Sequence, residues 1–492
     1  MIRLAANRSC RSGLMFILTF SLVYGPLYSL NPARAETPLP PKRTVGPQPI
    51  TKGHRSGEVI IKFKDDTPQQ VRDQIILTYG KKEKKLRGRG KESKLTIKDG
   101  LDLANTIFDL KQFNTAVEFA EPNYLVTRTG EFGRARPRHA KQLQTAPNDP
   151  QFGLQWALNN TGQGGGVPGS DINVFGGWNK TTGARDTIVA VIDTGVDITH
   201  PDLIRNIWVN KREEKGKKNK DDDHDGYVDD INGWNFVDDT ADVADDHGHG
   251  TAVAGIIAAE GDNNQGVAGV MWQAGILPLK ALNSSGSGAI SDVVEAMDYA
   301  VEHGASVINC SFGTDAFSQS LLDAINRASM SSALVVASAG NNGWDLSQRP
   351  YYPASYTATN LITVAATTNG DMLATFSNYG GATQVAAPGI DVLTTYPGRG
   401  YVSLSGTSAA APLVAGVAGL LKTIRGWVSA QWVRKAIIDG ARAVPTLDGK
   451  VASSAVVSTG EAVAVFTKKI DDSDGGGGGG GKGGGGGGGK GG

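Results

Sequence analysis

The 492-residue sequence predicts an α/β protein: a doubly wound, mostly parallel sheet with helices on both faces, preceded by a small α+β domain of the ferredoxin-like, split βαβ kind. Three observations carry this. Short, continuous apolar runs at 187–193, 305–310, 334–339 and 360–365 read as strands buried on both faces. Segments of helical periodicity, 292–303 and 321–330, lie between them. Upstream, residues 57–127 alternate strand and helix patterns as a separate unit. Lys+Arg and Asp+Glu balance at 49 each, so no global field calls for nucleic acid, and nucleic-acid binding is excluded as a function class.

From the N-terminus, Arg3, Arg8 and Arg11 precede an apolar run that is followed by Ala33-Arg34-Ala35, the pattern of a secretory signal over 1–35. The run is broken by Ser21, Gly25, Pro26 and Ser29 and is short of the ~20 residues a bilayer span needs, so a cleaved signal is favoured over an anchor. A secreted or extracytoplasmic product without a membrane span is expected. Cys10 leaves with the signal, and Cys310 alone cannot form a disulfide, so bound metal is the expected staple. Residues 36–56, rich in Pro, Lys and Gly, read as a linker.

Within 57–127, strands are expected at 58–63, 94–97 and 116–126, with helices at 67–79 and 101–113. Residues 128–146, with Arg134, Arg136, Arg138 and Lys141, form an exposed basic connector suited to proteolytic nicking. The large domain spans 147–467. After it, residues 468–492 pass from Asp471 and Asp474 into a glycine tract expected to be a flexible tail.

Three stretches of the large domain carry reactive chemistry. Asp193 ends the apolar run Ile188-Val189-Ala190-Val191-Ile192, where a buried carboxylate can hold an imidazole N–H. His249 opens the small-residue helix Gly250-Thr251-Ala252-Val253-Ala254-Gly255; His247 is its rival in the same turn, but the close-packing run follows His249. Ser408 opens a buried helix, Ala409-Ala410-Ala411-Pro412-Leu413-Val414, with Pro412 expected in the first turn, where its missing N–H does no harm. A serine hydroxyl becomes a nucleophile when an imidazole takes its proton and a carboxylate fixes the imidazole tautomer. Asn341, after the run ending in Gly340, is the candidate donor for an oxyanion. Between the first two motifs, Asp221, Asp223 and Asp225, then Gly226, then Asp229, have the spacing of a Ca²⁺ loop, with Asn232 where a bidentate Glu usually closes it.

Together these motifs, in the order Asp, His, Ser, resemble the subtilisin-like serine proteases, thermitase-like members in particular, over roughly 147–466. The resemblance implies that Asp193, His249 and Ser408 form the triad and that Asn341 lines the oxyanion hole. It implies a substrate cleft edged by Gly286, Ser287 and Gly288 on one side and by Ser311, Phe312 and Gly313 on the other, pairing with an extended protein substrate. It implies a second calcium site at Asp149, Asp202 and Asn263. Residues 57–127, especially Val117-Glu118-Phe119-Ala120-Glu121-Pro122-Asn123-Tyr124, resemble the inhibitor-type propeptide of the same family, with maturation cleavage expected between Val126 and Thr145. A calcium-stabilised monomeric endopeptidase, made as an autoprocessed zymogen and inhibited by its own propeptide, is the implied activity. Ala409 and Ala252 depart from the family's usual Met and His or Cys.

Overall fold

The computed structural model describes residues 47–133 and 146–474; the expected signal 1–35, the first part of the expected linker, residues 134–145 of the expected connector and the glycine tract lie outside the described residues. In the small domain, β1 (His54–Phe63), α1 (Gln69–Tyr79), β2 (Gly80–Lys85), β3 (Glu92–Ile97), α2 (Leu103–Gln112) and β4 (Val117–Arg128) follow one another as βαββαβ. The strands are antiparallel in the order β4-β1-β3-β2, the ferredoxin-like arrangement expected. Strand alternation sends Val59 and Ile61 into a core with Ile75, Leu95 and Leu110. Ile60, on the opposite face, packs in a core shared with Val293, Met297 and Leu321 of the large domain.

Nothing in the sequence of β2, Gly-Lys-Lys-Glu-Lys-Lys, predicts a strand, because it lacks an apolar face. It pairs with β3 at the edge of the sheet, where lysines discourage further pairing. β1 also starts inside the segment read as linker, held by the Leu125 N–H donating to the Gly53 carbonyl at 2.9 Å.

After β5 (Glu131–Gly133), the large domain begins with α3 (Val174–Trp178), β6 (Gly183–Asp193), α4 (Lys211–Glu214), β7 (Trp234–Asn235), α5 (His249–Ala258), β8 (Gln273–Lys280), β9 (Ser287–Ala289) and α6 (Ile290–Glu302). It continues with β10 (Val307–Cys310), β11 (Phe312–Gly313), α7 (Gln319–Met330), β12 (Leu334–Ser338), β13 (Leu361–Thr367), β14 (Val385–Pro388), β15 (Val392–Tyr396) and β16 (Gly400–Ser405). It ends with α8 (Thr407–Ile424), α9 (Ala430–Asp439), β17 (Arg442–Ala443), β18 (Ala455–Val456) and α10 (Thr459–Asp474).

The strands β14-β13-β12-β10-β6-β8-β7 are parallel, with β18 parallel to β14 and β17 antiparallel at the edge. Val189 and Val191 of β6 face a core containing Val253 of α5 and Val414 of α8, whereas Ala190 and Ile192 face one containing Val294 of α6 and Leu321 of α7. Both faces are covered, which is why these strands read as unbroken apolar runs. Helix α8 is long and apolar enough to cross a membrane, but it is buried in the core.

Strand β6 lies between β8 and β10, where the order of parallel strands reverses, so Asp193 ends at the topological switch point. One expectation is corrected at the C-terminus. Residues 468–474, read as the start of the flexible tail, continue α10. Each further residue of an existing helix adds a hydrogen bond without a new nucleation cost, and no glycine intervenes between Gly460 and Gly475.

Candidate active site

The Asp193 carboxylate and the His249 ring meet at 2.7 Å, Oδ1 to Nδ1, with both side chains fully buried. The Thr194 N–H donates to the same Oδ1 at 2.8 Å. The alternative histidine is placed elsewhere: the His247 Nε2 accepts from Arg128 Nε at 3.0 Å, and burial together with the Arg128 charge holds its pKa below the ordinary histidine value. Asp245, which no sequence signal singled out, fixes the start of α5. Its carboxylate accepts the His247, Gly248 and Thr251 N–H groups and the Thr194 and Thr251 hydroxyls, tying the end of β6 to the helix that carries His249.

Ser408 is the second residue of α8 and is fully buried. Ser408 Oγ and His249 Nε2 are both buried and lack a hydrogen-bond partner among the described residues. They face one point: a Cβ built on Gly130 would clash with Ser408 Oγ and lie 3.4 Å from His249 Nε2. Asn341 approaches from the end of β12, its Oδ1 accepting the Thr407 N–H at 2.9 Å and the Thr407 hydroxyl at 2.8 Å, which turns the amide NH₂ the other way. A Cβ on Gly406 would stand 2.8 Å from that Nδ2 and 2.7 Å from the Gly130 Cα, so only glycine leaves this space open.

Pro412 lies inside α8, beyond its first turn, which corrects the expected placement. A proline there removes the N–H that would bond the Ser408 carbonyl. The Ser311 hydroxyl donates to that carbonyl at 3.3 Å, and the Asn309 amide donates to Ser311 Oγ at 2.9 Å. Ala252 and Ala409, the two departures from family pattern, are fully buried where α5 and α8 pack. Cys310 is buried as well, and burial pushes its thiol pKa up, so it is no nucleophile.

The two predicted cleft edges flank the end of β4. Val126 pairs with Gly288 and Thr127 with Ser287 on one side; Thr127 pairs with Gly313 and Arg128 with Phe312 on the other, all antiparallel. The Arg128 N–H donates to the Gly286 carbonyl at 2.9 Å, and the Thr129 N–H to the Ser311 carbonyl at 3.0 Å. Beyond Ser408 the chain, read as an exposed connector, instead pairs as β5 with β16, Glu131 opposite Ser405. Free strand edges recruit it, whatever its charge. The same β4 caps two helices: Glu121 accepts the Gln319 and Ser320 N–H groups at the start of α7, and the Asn123 Oδ1 accepts the Ser291 N–H at the start of α6.

Candidate metal ligands cluster in two places. Asp223 and Asp225 gather with His303, and Asp223 also gathers with Glu213 and Asp230, ligand atoms within 4.8 Å of one another in each group. Asp221 and Asp229 lie outside both groups: Asp221 accepts the His224, Asp225 and Gly226 N–H groups of its own loop, and Asp229 accepts the Asn219 N–H. Glu213 and His303 come from α4 and the end of α6, too far along the chain for loop spacing to reveal. At the second place Asp202 accepts the Asn263 amide at 2.8 Å, the Val267 N–H and the Tyr401 hydroxyl. Asp149 Oδ1 and Asp223 Oδ1 are buried carboxylate oxygens without a partner among the described residues. Burial, with neighbouring Asp202 contributing, pushes the Asp149 pKa up to about 6. Buried, orphaned carboxylate oxygens of this kind suit a hard cation with oxygen ligands.

The sequence profile described as the subtilase family matches residues 184–466. A thermophilic serine proteinase of Bacillus sp. strain AK1 is 37% identical over 366 residues, covering 74% of this chain and 77% of that protein. Thermitase of Thermoactinomyces vulgaris is 40% identical over 244 residues, covering 50% of this chain and 77% of thermitase. A solved structure of proteases from Pseudoalteromonas arctica aligns over 65% of this chain and 100% of its own, with a TM-score of 0.55 and 27% identity. With a parallel sheet whose switch point gathers an acid, an imidazole and a serine, and with this likeness over most of its length, the chain belongs to the subtilase family of serine endopeptidases.

Proposed function

We propose that the chain is the zymogen of a secreted, calcium-stabilised serine endopeptidase, with residues 1–35 a signal, 57–127 an inhibitory propeptide and 147–467 the catalytic domain. The observation that carries this reading is the fully buried Asp193–His249 pair at 2.7 Å, whose outward Nε2 and the Ser408 hydroxyl face a single point in the cleft. Ser408 Oγ attacks the scissile carbonyl carbon while His249 Nε2 takes its proton. Asp193 holds the opposite ring N–H and balances the imidazolium charge. The Asn341 amide and the Ser408 N–H, at the positive end of α8, take the negative charge that grows on the carbonyl oxygen. His249 then delivers the proton to the departing amine, and water releases the acyl group by the reverse path. A fluorophosphonate labels only an activated serine, so rapid labelling of Ser408 together with casein digestion is expected; an unlabelled protein without proteolysis overturns the reading.

Asn341→Ala is expected to lower kcat by about 10²–10³ with little change in KM, since the donor engages only the developing oxyanion; the size is the one known for loss of the same donor in subtilisin. Steady-state kinetics on a peptide amide check it.

Asp223, Asp225, Glu213 and Asp230 would hold one Ca²⁺ and Asp149, Asp202 and Asn263 another, with backbone carbonyls completing each shell. Calcium supplies charge neutralisation to loops that otherwise bury carboxylates, and takes no part in bond breaking. With calcium a hundredfold above its Kd, binding stabilises by about 2.7 kcal/mol. Chelation is therefore expected to lower Tm by about 4 °C for each site emptied in a domain of this size. A calorimetric Tm unmoved by chelator refutes the metal reading.

The caps that Glu121 and Asn123 place on α7 and α6 support a templating role for the propeptide, because parallel sheets of long-range pairings form slowly.

A further inference from the structure

The chain that enters the cleft as β4 leaves it as β5, and the pairing on the two sides fixes which peptide bond lies at the nucleophile. On the entering side, the last backbone bond to the cleft edge is Thr129 N–H to the Ser311 carbonyl, at 3.0 Å. On the leaving side, the first paired residue is Glu131, opposite Ser405. Between them stands Gly130. Its φ of +149° is disfavoured for a residue with a side chain, and an added Cβ would clash with Ser408 Oγ. Thr129 is 4% exposed, so its side chain is enclosed by the cleft rather than lying across it. Its hydroxyl donates to the Ser311 carbonyl at 3.1 Å and shares a hydrogen bond with the Ser338 hydroxyl at 2.8 Å. Arg128 covers Gly286, donates from Nε to His247 Nε2 at 3.0 Å, and bonds the Gly130 carbonyl.

We propose that Thr129–Gly130 is the bond this enzyme cuts in itself, and that the cleft reads the class of substrate this segment exemplifies: an arginine, then a small β-hydroxyl residue as the acyl donor, then glycine. The inference rests on the serine endopeptidase reading above. Ser408 Oγ bonds to the Thr129 carbonyl carbon as the bond to the Gly130 nitrogen breaks. The serine proton passes through His249 to that nitrogen, leaving a free Gly130 amine and a Thr129 ester on Ser408. Water then hydrolyses the ester to the Thr129 carboxylate and restores the hydroxyl. Ser338 sets the preference for a hydroxyl, because an apolar side chain in the enclosed pocket strands the Ser338 hydroxyl, fully buried, without that partner.

The full-length chain is to be expressed with calcium and its processing followed over time by intact mass and N-terminal sequencing. The earliest new N-terminus is expected to be Gly130. In parallel, the peptide Leu-Val-Thr-Arg-Thr-Gly-Glu-Phe-Gly is expected to be cut between its second threonine and the first glycine by the matured enzyme. The analogue with valine in place of that second threonine should be cut about tenfold more slowly, and Ser338→Ala should bring the two peptides within about twofold of each other. A first N-terminus elsewhere, in a protein that digests casein, overturns the assigned bond and leaves the protease reading standing. An active enzyme that cuts the valine peptide as fast as the threonine peptide overturns the pocket assignment. A chain that neither processes itself nor digests casein overturns both the inference and the reading beneath it.

Discussion

Replacing Ser408 by alanine is expected to lower kcat by about a millionfold and to leave the precursor at full length. That size is the one known from subtilisin, where removing the serine alone costs nearly as much as removing the whole triad. The reason is chemical: His249 and Asp193 have nothing to deprotonate once the hydroxyl is gone, and the residual rate comes from the oxyanion donors and substrate alignment. The substitution is structurally mild. Ser408 Oγ holds no partner among the described residues, and alanine is an excellent residue for the second position of an α8 already built of Ala409, Ala410 and Ala411. Tm should therefore stay within a few degrees, so a loss of activity reports chemistry and not unfolding. The measurement is casein or peptide hydrolysis beside gel analysis of processing. Hydrolysis within tenfold of the native rate, or an S408A chain that still matures alone, removes Ser408 from the mechanism.

Asp193→Asn should lower kcat by about 10⁴, the scale known for the same change in chymotrypsin-type enzymes, with KM nearly unchanged. The amide fits the same volume, and whichever way it turns it fails. With its nitrogen toward His249 Nδ1, the ring must carry its proton on Nε2 and cannot take the one on Ser408. With its oxygen toward Nδ1, the tautomer is right, but the imidazolium formed in the transition state has no counter-charge in a site where both side chains are fully buried. Single-turnover kinetics read the effect directly. A rate within tenfold of native would show that Asp193 does not govern the tautomer or charge of His249.

The central strands and the residues that end them are more legible in the sequence than the elements around them. The apolar runs of β6, β10 and β12 were legible because burial on both faces leaves no room for alternation, and Asp193 and Asn341 could be placed because each follows such a run. β2 was illegible: an all-polar edge strand is specified by its partner, not by its own pattern. Glu213 and His303 gather around Asp223 through tertiary folding, and a loop motif sees only its own spacing. Ser338 is the last residue of the buried strand β12, where a serine reads as neutral filler until Thr129 is found against it. The first residues after β4 read as exposed because nearby charge suggests solvent, whereas cleft edges lacking partners recruit any backbone that reaches them.

The proline within α8 has one more effect. By denying the Ser408 carbonyl its usual helical donor, it leaves that carbonyl as a docking point for the hydroxyl of Ser311, whose own carbonyl accepts the Thr129 N–H. The strand edge that pairs with Thr129 and the turn that carries Ser408 are thereby bolted together, so a peptide held in register along that edge is also held in register with the Ser408 side chain.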